Sequence, residues 1–179
     1  MKIKEGEYLF LDTPYTDEAT EQVVKWLVGK DSKKIKIIAI NTHFHNDRFG
    51  SNGYLKKIGA AIYGSDLSVK LLKERGLDNG MLDMLKDSSM QKYYTYWKNV
   101  KLTPPDSLFS LKNGLTLSFD NKTWEVYYPG SSHTQDNIVV HLPKRNILFG
   151  GCLGYSWSWK NREKGIDNPY NGISKIKKP

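Results

Sequence analysis

His43-Phe44-His45-Asn46-Asp47-Arg48 is the stretch on which the reading of this sequence turns. It follows an apolar run, Ile35 to Ile40 broken by Lys36, that reads as a buried β-strand. Two histidines two apart, with a carboxylate two further on, project three potential ligands from one short loop. Imidazole suits zinc, and a carboxylate can bind the same ion or a neighbouring one. His-x-His alone says little, since any two histidines can fall that way. His-x-His-x-Asp directly after a strand says more, and this loop holds two of the 4 histidines in the chain. The competing reading is a polar turn that merely ends a strand.

Upstream of the motif, Glu7 to Asp12 reads as a strand ended by Thr13-Pro14. Thr16 is an N-cap candidate, and Asp17 and Glu18 occupy a first turn where the helix dipole favours acids. Ala19, Val23, Trp26 and Leu27 recur at helical spacing, with Gly29 as the expected stop. Downstream, Gly50-Ser51-Asn52-Gly53 lets the backbone pass close to the loop, and a short helix is expected to about Lys57. Ala60 to Tyr63 reads as a strand. Ser65 then caps a helix from Asp66 to Arg75, with Leu67, Leu71 and Leu72 inward and Gly76 as its end. Strands alternating with helices indicate a layered α/β fold.

From Leu77 to Leu108 the pattern is weaker. Met81, Leu82 and Leu85 hint at a helix, and the aromatic run Tyr93 to Trp97 either packs on the core or covers a pocket. Beyond Pro104-Pro105 the period becomes two. Leu115, Leu117 and Phe119 face Trp124, Val126 and Tyr128 across an Asn121-Lys122 turn, which is a hairpin. Ile138 to Leu142 and Asn146 to Phe149 form a second strand pair across Pro143-Lys144-Arg145. No repeat divides the 179 residues, so a single domain over 1–179 is expected.

Hydrophobic content of 39% with dispersed charge excludes a disordered class, and no apolar stretch reaches the length of a membrane span. The net charge of +8 comes partly from Lys30, Lys33, Lys34 and Lys36 and partly from Lys175, Lys177 and Lys178. These clusters form no helical stripe of the kind that tracks nucleic acid, and read as solvated surface able to attract small anions. Met1 to Gly6 holds no secretory apolar region, so the chain as written is expected to stay in the cytoplasm, or to be periplasmic or secreted if a leader precedes it. The 1 cysteine, Cys152, excludes an internal disulfide.

Two further residues belong with the first motif. His133 stands in the turn Pro129 to Thr134 between two strands, and Cys152 follows Gly150-Gly151 at the end of the last strand. Strand ends are where layered α/β domains assemble sites. His43, His45 and His133 would give a tetrahedral zinc with one open position, and Asp47 and Cys152 part of a second site. His141 lies within a strand and faces the other way.

The three motifs, completed by Gly130 to Asn137 and Gly150 to Leu153, resemble the metallo-β-lactamases over about Glu7 to Leu153, with 154–179 a divergent tail. Arg48, where other branches of that superfamily have a second histidine, and Cys152 after two glycines both point to the subclass with a histidine-triad zinc and an aspartate–cysteine–histidine zinc. The resemblance implies an αββα sandwich, here incomplete at both ends, and zinc-dependent hydrolysis of the β-lactam amide. It implies His43, His45 and His133 as ligands of the first zinc, and Asp47 and Cys152 as ligands of the second. Asp47 would also orient the attacking water. The expected partner is a small β-lactam, with a monomeric chain, no membrane and no nucleic acid. Asn137 corresponds to a structural residue of the third motif and is a candidate for substrate contact. Tyr155 stands where the family places a lysine for the substrate carboxylate.

The sequence departs from the family in three ways. No histidine follows His141 to complete the second site, the substrate lysine is replaced, and the family's opening hairpin and leader have no counterpart before Met1. One zinc is therefore expected, with a second weak or absent. The alternatives to a β-lactamase are a hydrolase of thioesters or lactones from the same superfamily, and an inactive metal-binding remnant.

Overall fold

The computed structural model describes residues 1–30, 34–76, 82–83, 85–86, 88–100, 102–119 and 121–153. Two sheets are stacked face to face, with helices on the outer face of the first. Sheet one has the order β1(Lys2–Lys4), β2(Glu7–Leu11), β3(Lys36–Ile40), β4(Ala61–Ser65), β5(Ser107–Phe109). Its first pair is antiparallel and the others parallel, in the register Leu9↔Ile38 and Ile38↔Ala61. Sheet two is antiparallel in sequence order: β6(Leu115–Phe119), β7(Lys122–Tyr127), β8(Val139–Leu142), β9(Ile147–Phe149).

Period-two alternation explains the two-sided packing of β2 and β3. Leu9, Ile38 and Ile40 face sheet two and join Trp124, Val126, Ile138, Val140 and Leu142 in the inter-sheet core. The alternate residues Tyr8, Phe10, Ile37 and Ala39 face the helices and meet Val24, Leu27 and Leu55. A strand buried on both faces must be apolar throughout, which is why Ile37 to Ile40 carries no polar residue.

The helices are α1(Asp17–Lys30), α2(Asn46–Phe49), α3(Asn52–Lys57), α4(Asp66–Arg75) and α5(Gln91–Asn99). Thr16 caps α1, its hydroxyl accepting from the Ala19 amide at 3.3 Å. Ser65 caps α4 by accepting from Ser68, and Gly76 at φ 62° ends it. Both hairpins of sheet two form as expected, with Leu117↔Trp124 and His141↔Leu148 in register.

Four expectations are corrected. A strand at Lys2–Lys4 pairs with β2, adding a hairpin where the sequence reading begins only at Glu7. The inward stripe of α1 is Thr20, Val24 and Leu27; Val23 and Trp26 are exposed, and Gly29 lies inside the helix. Two apolar stripes compete on this helix, and contact with β2, β3 and α3 selects the one containing Val24. In α4, Val69 takes the inward place expected of Leu67. The metal motif is not wholly a loop, since Asn46–Phe49 forms one helical turn. The aromatic run becomes α5, with Trp97 fully buried and in edge contact with Tyr15. Met81 lies outside the described residues.

Trp124→Ala should cost about 3–5 kcal/mol in urea unfolding, because a 1% exposed ring leaves a cavity between the sheets. Trp26→Ala should stay within about 0.5 kcal/mol, because its ring is 61% exposed.

Candidate metal centre

Strand β3 ends at Ile40, and the chain crosses the open end of the sandwich. Asn41 and Asn52 close this crossing as a clamp. Each amide donates to the other's oxygen, at 3.2 and 2.8 Å, and Asn41 also donates to the Arg48 carbonyl at 2.7 Å. Gly50 lets Trp97 pack against the turn, since a β-carbon there would lie 2.2 Å from the indole.

Within this frame Thr42 is the junction. Its amide and hydroxyl both donate to the Asp12 carboxylate, at 2.7 and 2.9 Å. Its carbonyl accepts from Ile138 at the start of β8 at 2.9 Å, tying sheet one to sheet two. The hydroxyl also lies 3.1 Å from His43 Nδ1. With Asp12 ionised the Thr42 proton goes to it, so the hydroxyl accepts from His43 Nδ1–H and the ring's other nitrogen keeps its lone pair. That nitrogen, Nε2, is buried and has no hydrogen-bond partner.

His133 is carried by the loop between β7 and β8. Asn137 holds this loop: its oxygen accepts from the Ser132 and Thr134 amides at 3.2 and 3.0 Å, and its nitrogen donates to the Gly130 carbonyl at 2.9 Å. At 2% exposure, with both ends of its amide engaged, Asn137 frames the loop.

His43, His45 and His133 converge. Their ligand atoms lie within 4.8 Å of one another, and the ring centroids are 4.8 to 5.0 Å apart. Small ring rotations bring such atoms to the roughly 3.3 Å spacing that ~2.0–2.1 Å zinc–nitrogen bonds require. Burial, with the two neighbouring imidazoles and Arg48, holds His43 well below the ordinary histidine pKa, so it stays a neutral ligand. An orphaned buried Nε2 facing two further imidazoles fits a zinc ion.

Asp47 and Cys152 meet on Arg48. Its Nη2 donates to Cys152 Sγ at 2.8 Å and lies 3.3 Å from Asp47 Oδ2, while Nη1 lies 3.6 Å from Asp12. Gly151 is needed to bring Cys152 here: its φ is 52°, and a β-carbon would lie 2.8 Å from Thr42 Oγ1. His141 sits on β8 paired with Glu125 at 3.0 Å and outside the histidine trio. Tyr155 lies outside the described residues.

The sequence reading missed Asp12, Thr42, Asn41 and Asn52. Asp12 was the legible one, as an acid at the end of the strand beside β3. Burial raises its pKa to about 7, against the lowering effects of Arg48 and its bonds from Thr42.

A family model described as the metallo-beta-lactamase superfamily matches residues 11–178. The chain belongs to the metallo-beta-lactamase superfamily. It is 34% identical over 151 residues to a metallo-beta-lactamase type 2 of Bacteroides fragilis, an alignment covering 84% of this chain and 49% of that protein. It is 35% identical over 143 residues to one of Pseudomonas aeruginosa, covering 80% and 46%. The structure of a metallo-beta-lactamase from Pontibacter korlensis superposes with a TM-score of 0.67 at 27% identity, covering 88% of this chain and 60% of that one. The chain thus spans about half the length of the curated relatives it matches, and its two-sheet α/β architecture is that of the superfamily.

The Asp12 shift has a measurable sign. A carboxyl whose folded pKa is raised from 3.8 to about 7 holds its proton in the fold but not in the unfolded chain between those values. Its contribution to stability is therefore present at low pH and lost as pH rises toward 7. In the metal-free chain, the stability of Asp12→Asn relative to the unsubstituted protein should rise steadily from pH 4 to 7, as read by urea unfolding at each pH.

Proposed function

We propose that this chain is a zinc-dependent hydrolase that opens the amide of the β-lactam ring. The observation that carries this reading is the convergence of His43, His45 and His133 with an unpartnered Nε2 on His43. Family membership and relatives named metallo-beta-lactamase support it. Zinc on such a trio supplies a Lewis acid and brings the pKa of a bound water to ~7.

The chain's own residues would act as follows. His43, locked in one tautomer through Thr42 and Asp12, holds its ligand nitrogen toward the other two rings. Asp47 orients the attacking water, with its carboxylate fixed by Arg48. Cys152 and Asp47 offer a second ion two ligands, below the usual three or four, so that site is weak. The net charge of +8 draws in an anionic substrate. Tyr155 takes the place of the carboxylate-binding lysine. A positioned charge at the transition state is worth about two to three powers of ten in rate, so turnover should fall well short of that of relatives with the full set.

Zinc titration should show one tight event and a weak or absent second. Two equally tight events would require a further ligand. Hydrolysis of a chromogenic cephalosporin should be slow, abolished by chelation and lost with the metal in His43→Ala. Turnover of a thioester or lactone with none of the cephalosporin would overturn the substrate assignment, and turnover surviving complete zinc removal would overturn the mechanism.

A further inference from the structure

Helix α4 touches, at its two ends, the two loops that carry the histidine trio. In its first turn the Ser68 hydroxyl donates to the Asp136 carboxylate of the His133 loop at 2.6 Å. In its last turn the Arg75 guanidinium lies over Phe44, the residue between His43 and His45, at 5.5 Å from the ring centroid. The Phe44 centroid is in turn 4.7 Å from that of His45. An exposed cation therefore stands one aromatic ring away from a candidate metal ligand. That ligand keeps part of its own surface open to solvent, whereas His43 is buried.

Arg75 has no carboxylate partner among the described residues. Its neighbour Glu74 is turned to Lys70 at 3.8 Å. The other guanidinium at the site, that of Arg48, is already taken by Asp12, Asp47 and Cys152. The helix dipole favours a basic residue in the last turn of α4, but Lys73 answers it as well, and the dipole gives no reason for a guanidinium laid over Phe44. A guanidinium over a ring uses its face and leaves its N–H donors pointing outward in its plane. Those donors match a carboxylate at two points, and the ring beneath reduces the freedom lost when they bind one.

We propose that Arg75 receives the anionic substituent of a substrate whose reacting carbonyl sits at the histidine trio. The assignment rests on the β-lactam reading of the site, since such compounds carry a carboxylate on the ring fused to the lactam, several ångströms from the reacting carbonyl. Lys73, two residues earlier, lies about 200° away around the helix and takes no part.

The test uses the full chain loaded with one equivalent of zinc. Its binding of a ring-opened cephalosporin, a stable dicarboxylate, is read by equilibrium dialysis, which needs no turnover. Arg75→Gln should weaken that binding at least ~threefold, the scale of one partly exposed charge pair, and Arg75→Lys should fall between it and the unsubstituted chain. Lys73→Gln makes the same charge change on another face of the helix and should bind as the unsubstituted chain does. Zinc content and circular dichroism should be the same in all variants. In turnover, Arg75→Gln should lower kcat/KM for a chromogenic cephalosporin relative to that for its methyl ester, which lacks the charge. Equal weakening in Arg75→Gln and Lys73→Gln, loss of zinc in Arg75→Gln, or no binding of the dicarboxylate would each overturn the proposal. Cephalosporin turnover together with binding that ignores Arg75 would sink it and leave the hydrolase reading standing. Binding that depends on Arg75, with no turnover of any cephalosporin, would overturn the hydrolase reading and keep Arg75 as an anion-binding group beside the metal.

Discussion

Thr42 is where the two halves of the sandwich are held to each other at the site. One residue spends its amide and hydroxyl on Asp12 of the β2 end, its carbonyl on Ile138 of sheet two, and its hydroxyl lone pair on His43. Gly151 packs against the same side chain, which brings Cys152 to Arg48. Position, tautomer and ligand approach are all set at this point. A buried polar network of this kind is stable only when its members are satisfied. His43 Nε2 is left without a partner, and it is the atom a metal would engage.

Arg48 is the second organising group. Its carbonyl fixes the loop through Thr13 and Asn41, while its guanidinium gathers Asp12, Asp47 and Cys152. Two potential metal ligands and one buried acid thus share a single cation. Without that charge nothing would offset Asp47, whose nearby carboxylate adds to burial in raising the pKa of Asp12. Arg48 therefore sets the electrostatics of any second ion as well as the geometry of its ligands.

Much of this was legible in the sequence, for identifiable reasons. The sheets announce themselves through period two in β6 and β7 and through the doubly apolar β3. The histidine trio was readable because each member follows or precedes a strand, and strand ends in such folds come together. What could not be read was set by packing. Val24 and Trp26 are equally plausible inward residues by spacing, and contact with α3 and sheet one chose Val24. Lys2–Lys4 has too little pattern to declare a strand before β2 is there to pair with it. Asn41, Thr42 and Asn52 look like ordinary turn residues, and only their long-range bonds reveal them as the frame of the site.

The most direct measurement of the central claim is X-ray absorption at the zinc edge on the chain loaded with one equivalent of zinc. Three imidazole nitrogens at ~2.0–2.1 Å with no sulfur ligand are expected. A zinc–sulfur shell at ~2.3 Å would place the first ion on Cys152, and would contradict the assignment of His43, His45 and His133 as the primary site.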